Sequence, residues 1–284
     1  MTEPLAVPSI ANVPVVHIEP SRGWVSLDLR DLWEYRELFY FLVWREVKVR
    51  YKQTVIGAAW VIIQPLMTMM IFTVIFSYLA KISSDGIPYP VFAYTALLPW
   101  MYFSSAIGRS GNSLLGDANL IQKVYFPRLI LPLSAVTAPL VDFLFSFLVL
   151  LGMIFWFGIA PSWNVLALPL FLLMAVITAL AVGLWLSPVN VRYRDVVHTI
   201  PFLIQIWMYA SPVVYPISYV PEKWRLLYSL NPMVGVIEGF RWALLGKENP
   251  AIGMIGVSAL MVLLLLWGGA AFFKRMERAF ADVV

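Results

Sequence analysis

The residues able to do chemistry are few in this sequence, and they do not assemble into a known reaction centre. The two histidines, His17 and His198, have no metal-type spacing, and neither His-Glu-x-x-His nor Gly-x-Ser-x-Gly occurs. No Gly-x4-Gly-Lys-Ser/Thr loop is present to cradle the phosphates of ATP, and Gly246-Lys247 lacks both the upstream glycine and the following hydroxyl. His198 beside Asp195 has the form of a proton relay and, more commonly, of an interfacial histidine at a helix start. The absence of cysteine excludes disulfides, thiolate metal sites and cysteine nucleophiles together. Asp142 is the one charge inside a clear apolar span, where a central carboxylate costs about 3 kcal/mol. It is expected to face other helices or a wet path. With no partner cation at similar depth on its own helix, a structural hydrogen-bonding role suits it better than ion coupling.

Aromatic residues make up 15% of the chain, enough to ask what their faces do. Trp24, Trp33, Trp156, Trp163, Trp224 and Trp267 fit an interfacial belt. Trp60, Phe72, Trp100, Tyr102, Phe103, Trp207 and Tyr209 lie deeper in apolar stretches. Such faces either pack against neighbouring helices or stack on the apolar faces of sugar rings while letting them slide.

The elements that carry these residues are set by composition. The 284 residues are 61% hydrophobic and 13% charged, half the charge of an ordinary soluble domain, and mean hydropathy is +0.81. Much of the surface therefore cannot face water. Stretches free of Asp, Glu, Lys and Arg predict six spanning helices at about 58–80, 91–109, 131–157, 166–187, 198–214 and 252–273. The third and fourth are separated by a tight turn at Gly158-Ile159-Ala160-Pro161. With both ends inside, fifteen Lys and Arg fall on inner segments and five on outer ones, Lys81, Lys223, Arg225, Arg241 and Lys247. Both termini are thus expected in the cytoplasm. Residues 1–30 lack a basic start and carry Pro4, Pro8, Pro14 and Pro20, so they read as a cytoplasmic arm and not as a signal peptide. Residues 274–284 read as a cytoplasmic tail.

Asp31–Lys52 is expected to form an amphipathic helix at the membrane surface, with Trp33, Tyr40, Trp44, Val47 and Tyr51 along one side. Asp31, Glu34 and Glu37 at its start and Arg45, Lys48, Arg50 and Lys52 at its end suit the helix dipole. It reads either as a plain anchor or as a lever touched by a cytoplasmic partner. Residues 213–251 contain two apolar pieces too short to span, Val213–Val220 and Met233–Leu245. They read as re-entrant helices buried in protein, or as an outer loop resting at the interface. No internal repeat is evident, and no basic tract with interleaved aromatics suggests nucleic-acid binding.

The polar punctuation between the spans carries a resemblance. In order it reads Tyr35-Arg36-Glu37-Leu38; Trp44-Arg45-Glu46-Val47-Lys48-Val49-Arg50-Tyr51-Lys52-Gln53-Thr54; Gly57-Ala58-Ala59-Trp60; Gln64-Pro65; and Leu98-Pro99-Trp100. It continues through Asn119-Leu120-Ile121-Gln122-Lys123-Val124-Tyr125-Phe126-Pro127-Arg128, Asn190-Val191-Arg192-Tyr193-Arg194-Asp195, Ser211-Pro212-Val213-Val214-Tyr215-Pro216 and Asn231-Pro232. It ends with Phe273-Lys274-Arg275-Met276-Glu277-Arg278-Ala279-Phe280-Ala281-Asp282. This series resembles the permease subunit of type-2 ABC exporters for polysaccharides, the O-antigen, capsule and teichoic acid transporters. The likeness runs from about Gly23 to Asp282.

The resemblance implies an all-α, multi-pass protein of the inner (cytoplasmic) membrane that works as a homodimer with two copies of a separate ATPase. ATP and Mg would bind that partner, and this chain would bind no cofactor. The substrate would be a lipid-linked glycan, O-antigen first, moved to the periplasm or cell exterior. It further implies that 31–52 is the interface helix, with Arg45, Lys48 and Arg50 at the ATPase side. Asn119, Ile121, Lys123, Tyr125 and Phe126 would form a coupling region, and Arg192, Tyr193, Arg194 and Asp195 a second contact. Val213–Leu245 would be re-entrant helices capping the exit. Trp60, Gln64, Thr68, Phe72, Trp100, Tyr102, Phe103, Gln205, Trp207, Tyr209, Ser211 and Tyr215 would line the substrate path. Export of a lipid or drug by the same machinery is the nearest alternative. An ion-coupled carrier or channel would want paired intramembrane charges, and a membrane enzyme such as a glycosyltransferase would want clustered carboxylates.

Overall fold

In hydrocarbon a backbone must satisfy its own hydrogen bonds, so the charge-free stretches fold as helices. The structure, a computed structural model, describes residues 29–52, 55–160, 162–193, 195–246 and 252–277. Most of the expected N-terminal arm, Arg194 and the tail beyond residue 277 lie outside them. Among the described residues all regular structure is helical. Among the described residues four stretches are long and apolar enough to cross a membrane: 59–79, 130–156, 163–192 and 252–277.

The chain opens with α1 (Leu29–Glu34) and α2 (Arg36–Tyr51), parted at Tyr35. Next comes α3 (Val55–Phe72), which passes into a π-helical turn, Thr73–Leu79. Two features loosen α3. Pro65 cannot donate to the Val61 carbonyl, and the Ser146 hydroxyl donates to that carbonyl instead at 3.2 Å. Thr68 and Thr73 donate back to the carbonyls four residues upstream, at 2.9 and 2.8 Å, a habit that bends helices.

The central element is α4 (Tyr89–Gly116), whose side chains are buried over most of its length. It runs past the expected end at residue 109 because Arg109 does not stop it: Glu46 of α2 pairs with Arg109 at 2.8 Å. The short α5 (Ala118–Lys123) follows. Helices α6 (Ile130–Thr137) and α7 (Leu140–Trp156) form one stretch broken at Ala138-Pro139, where the Tyr102 hydroxyl donates to the Val136 carbonyl at 3.1 Å. After a turn at Gly158 (φ +68°) and a 3₁₀ turn over Trp163–Ala167 comes α8 (Leu168–Arg192). α9 (Val196–Tyr209) ends earlier than the expected 214, because Pro212 disfavours helical backbone at Ser211 before it. Then come α10 (Glu222–Tyr228), α11 (Pro232–Leu245) and α12 (Ile252–Glu277).

α4 packs against α3, α6, α7, α8, α9 and α11, and α8 packs against α12. Small residues let these backbones approach. A Cβ built at Gly183 of α8 would lie 2.1 Å from Ser110 Oγ of α4. Gly183→Leu therefore overpacks the close approach of α8 to α4. A loss of about 1–3 kcal/mol is expected, read as a lower unfolding temperature in detergent.

A second, smaller apolar cluster sits at one end of the bundle. It joins Leu42 of α2, Leu114 of α4, Ile121 and Phe126 around α5, Ile130 and Leu131 of α6, Leu184 and Val191 of α8, and Ala270 and Phe273 of α12. The elements expected at the ATPase side thus share one end of the molecule.

Candidate functional site

A cleft of about 430 Å³ runs between α3, α4 and α7, closed on one side by Met208 of α9. Trp60, Gln64 and Thr68 line it at one-turn spacing along α3. Trp100, Tyr102, Ser104 and Ser105 of α4, and Ser146 of α7, form its other walls. Trp60 is 54% exposed, so part of its side chain remains accessible. The lining mixes aromatic surface with hydroxyl and amide groups, the pairing that suits a chain of sugars.

Five of the expected path residues therefore share one cleft. The others lie elsewhere. Phe72 is buried against Phe76 and Phe103 against Trp207, with ring centroids 5.6 and 5.1 Å apart. Gln205 and Tyr209 are exposed on α9. Trp207 turns to a separate apolar groove of about 890 Å³ between α8, α9, α10 and α12.

Trp207, Ser211 and Tyr215 belong to a hydrogen-bond network around the non-helical segment 210–216. Asn231 is its hub. Its oxygen accepts from Trp207 Nε1 at 2.8 Å and caps α11 by accepting from the Met233 amide at 3.0 Å. Its amide donates to Ser211 Oγ at 2.8 Å and to the Ala210 carbonyl at 3.0 Å. Tyr215 donates to the Tyr209 carbonyl at 3.0 Å and meets the Tyr228 hydroxyl at 2.8 Å.

Arg241 completes the network and departs most from expectation. Counted by sequence among outer cations, it is fully buried on α11. It pairs with Glu238 at 2.9 Å, donates to the Val213 carbonyl at 3.0 Å and reaches the Tyr215 carbonyl at 3.5 Å. Its guanidinium lies 3.6 Å from the Phe92 ring centroid. Tyr89 donates to the intervening Val214 carbonyl at 2.8 Å. Three successive unwound carbonyls are thereby satisfied, as irregular backbone away from water requires. The Glu238-x-x-Arg241 spacing inside an apolar run was the available signal.

At the end shared by α2 and α5, three ion pairs among the described residues fasten α2 to the bundle. Arg45 holds Asp117 at 2.7 Å, Glu46 holds Arg109 at 2.8 Å, and Arg50 pairs with Asp142. Tyr51 donates to the same Asp142 carboxylate. Asp142 has no cation on its own helix, as expected, and draws one from α2 instead. The hydrogen bond to Asp117 raises the Arg45 guanidinium above its ordinary range, while burial and then the Arg109 charge pull Arg50 below it. Tyr51 is pushed up by burial. Arg45 and Arg50 are thus engaged inward, whereas Lys48 is exposed. The aromatic side of α1–α2 is outward at Trp33, Tyr40 and Trp44, each more than half exposed, while Tyr51 turns in.

Of the coupling set, Ile121 and Phe126 are buried anchors. Between and beside them Asn119, Lys123 and Tyr125 are exposed, Tyr125 at 73%. Arg192, Tyr193 and Asp195 are exposed at the α8–α9 junction. A buried anchor either side of an exposed tip presents a surface without loosening the fold. Among the described residues no group of three or more His, Cys, Asp or Glu could hold a metal ion.

Comparison with known proteins finds related transport proteins. The chain is 30% identical over 259 residues to the O-antigen export system permease protein RfbA of Myxococcus xanthus, covering 90% of this chain and 98% of that one. It is 29% identical to a protein of the same name from Klebsiella pneumoniae, over 87% of this chain and 95% of that one. It is 27% identical to the polysialic acid transport protein KpsM of Escherichia coli, over 83% of this chain and 92% of that one. The model of the ABC-2 type transporter family matches residues 37–245, from the first turn of α2 to the last residue of α11. The chain is a member of the ABC-2 type transporter family.

Proposed function

We propose that this chain is the membrane permease subunit of an ATP-driven exporter of lipid-linked polysaccharide, O-antigen foremost. The observation that carries the reading is similarity over nine-tenths of the chain to a permease named for O-antigen export. In this reading the chain is a transport subunit and not an enzyme. Two copies face each other, two copies of a separate ATPase supply ATP hydrolysis, and ATP and Mg reside there.

The six-span topology belongs to the same proposal. The spans are α3 with its π turn, α4, α6–α7, α8, α9 and α12. α4 carries Arg109 and many polar groups, and its near-complete enclosure by other helices keeps these from lipid. α9 has 14 residues, about 21 Å of helix against a core of about 30 Å, and segment 210–216 extends it. α10 and α11 fold back between the last two spans, and the burial of nearly all of α11 supports a re-entrant course. Both termini then lie on the α2 side, in the cytoplasm, where most Lys and Arg gather.

Mechanistically, closure of the ATPase pair would press on the exposed tips at Tyr125 and Tyr193. α2 would transmit the push through its three ion pairs. The glycan would slide along the α3–α4–α7 cleft, held weakly at each ring. Trp60→Ala combined with Gln64→Ala tests the cleft: export should slow about tenfold or more while association with the ATPase is unchanged. Export at the wild-type rate would remove the cleft from the path. Deletion of the whole chain should abolish surface glycan.

A further inference from the structure

Two donors from α2, the Arg50 guanidinium and the Tyr51 hydroxyl, converge on one carboxylate oxygen pair, that of Asp142 on α7. Arg50 and Asp142 both line the α3–α4–α7 cleft. They sit at its α2 end, because Trp60 lies early in α3, Asp142 in the first turn of α7, and Ser104 and Ser105 in the second half of α4. The other two ion pairs of α2 lie apart from the cleft, with Arg45, Glu46, Arg109 and Asp117 around a separate hollow. Of these three ion pairs among the described residues, the Arg50 pair is the one that lines the cleft.

An arginine fork joined by a phenolic hydroxyl is a general oxyanion receptor, and arginine matches the oxygens of phosphate as well as those of carboxylate. Both Arg50 and Asp142 keep part of their side chains accessible, at 35% and 16%, so the pair can be opened from the cleft without unfolding its surroundings. We propose that Arg50 and Tyr51 are a phosphate-recognition fork for the headgroup of the lipid-linked substrate, and that Asp142 occupies the fork as an internal stand-in until the substrate displaces it. This rests on the reading of the cleft as the substrate path. The ligand class is a phosphate or diphosphate ester at the junction of lipid and glycan. Displacement has a mechanical result: it releases one of the three ion pairs that fasten α2 to the bundle, so arrival of substrate loosens the helix that faces the ATPase.

The test uses the intact complex of this chain with its ATPase partner, in detergent, and measures binding of three probes: a polyprenyl diphosphate, the matching neutral polyprenol, and inorganic diphosphate as competitor. Arg50→Gln should weaken polyprenyl diphosphate binding about tenfold or more and leave polyprenol binding unchanged. Arg50→Lys should fall between. Asp142→Asn should tighten polyprenyl diphosphate binding several-fold, a gain that structural damage would not produce. The double variant Arg50→Gln/Asp142→Asn removes both charges. It should assemble with the ATPase and still fail to discriminate the diphosphate from the alcohol. Competition by inorganic diphosphate alone, without preference for its lipid ester, would mean a free-anion site and would overturn the assignment to substrate. Unchanged affinity in Arg50→Gln, or weakened affinity in Asp142→Asn, would also overturn it. If deletion of the chain still abolished surface glycan in that case, the fork would be lost and the exporter reading would stand.

Discussion

Replacing Arg241 with methionine should be among the most damaging single changes in this protein. The methionine keeps much of the volume beside Phe92 but removes the charge. Glu238 is then left buried without its cation, and the Val213 and Tyr215 carbonyls lose their donor. Breaking a buried pair from one side costs about 3–5 kcal/mol. Little folded protein should survive purification in detergent, as read by monodispersity and unfolding temperature. Arg241→Met combined with Glu238→Gln should recover part of the loss, because the orphaned carboxylate is gone. The recovery should be incomplete, because the two carbonyls remain unsatisfied. A single variant as stable as the wild type would mean that segment 210–216 does not depend on this residue.

Asn231→Ala should come second. It removes the cap of α11, worth about 1 kcal/mol, and strips the partner from the Trp207 indole N–H and from the Ala210 carbonyl. The Trp207 indole is only partly buried and the Ala210 carbonyl is exposed, so their loss adds less than the full penalty of a buried group, and about 1–3 kcal/mol in all is expected. Asn231→Asp separates the roles. It keeps the acceptor for the Met233 amide and Trp207 but loses the donor to Ala210 and Ser211. Its stability should lie between wild type and the alanine variant. Because Asn231 joins α9 to α11, both variants should also raise protease cleavage within 210–230. Equal stability of all three proteins would show that the network is incidental.

These two residues also mark where sequence reading stopped. A hydropathy search treats each charge as a boundary or as surface. That works for the flanks of α3 and α12, whose charge-free runs predict helices directly. It fails wherever a charge is neutralised by a distant partner. Arg241 looked like an outer-loop cation because burial of its pair with Glu238 is a property of packing. Arg109 looked like the end of a span, and the helix continues because Glu46 meets it. Asp142 looked unpaired because its cation lies on α2, far away in sequence. The candidate path was legible where residues share one helix face: Trp60, Gln64 and Thr68 follow one another at single-turn spacing. It was not legible for Phe72, Phe103, Trp207, Ser211 and Tyr215, whose types suit a sugar path equally well as a core or a hydrogen-bond network. Only the fold separates those uses.

Pro65 shows how local chemistry and packing combine. The missing donor at Pro65 is visible in the sequence. That Ser146 takes over the Val61 carbonyl is not, since it needs α7 alongside α3. The same contact sets the wall of the cleft, so the proline that loosens α3 also helps define the space beside it.

The central claim is that this chain provides a route and no driving force. Its most direct test is reconstitution of the purified chain in lipid vesicles loaded with a labelled lipid-linked glycan, with and without the ATPase partner. Transfer of label across the bilayer is predicted only when both proteins and ATP are present, and the chain alone should hydrolyse no nucleotide. ATP-independent transfer driven by an ion gradient, or nucleotide hydrolysis by the chain by itself, would contradict the account.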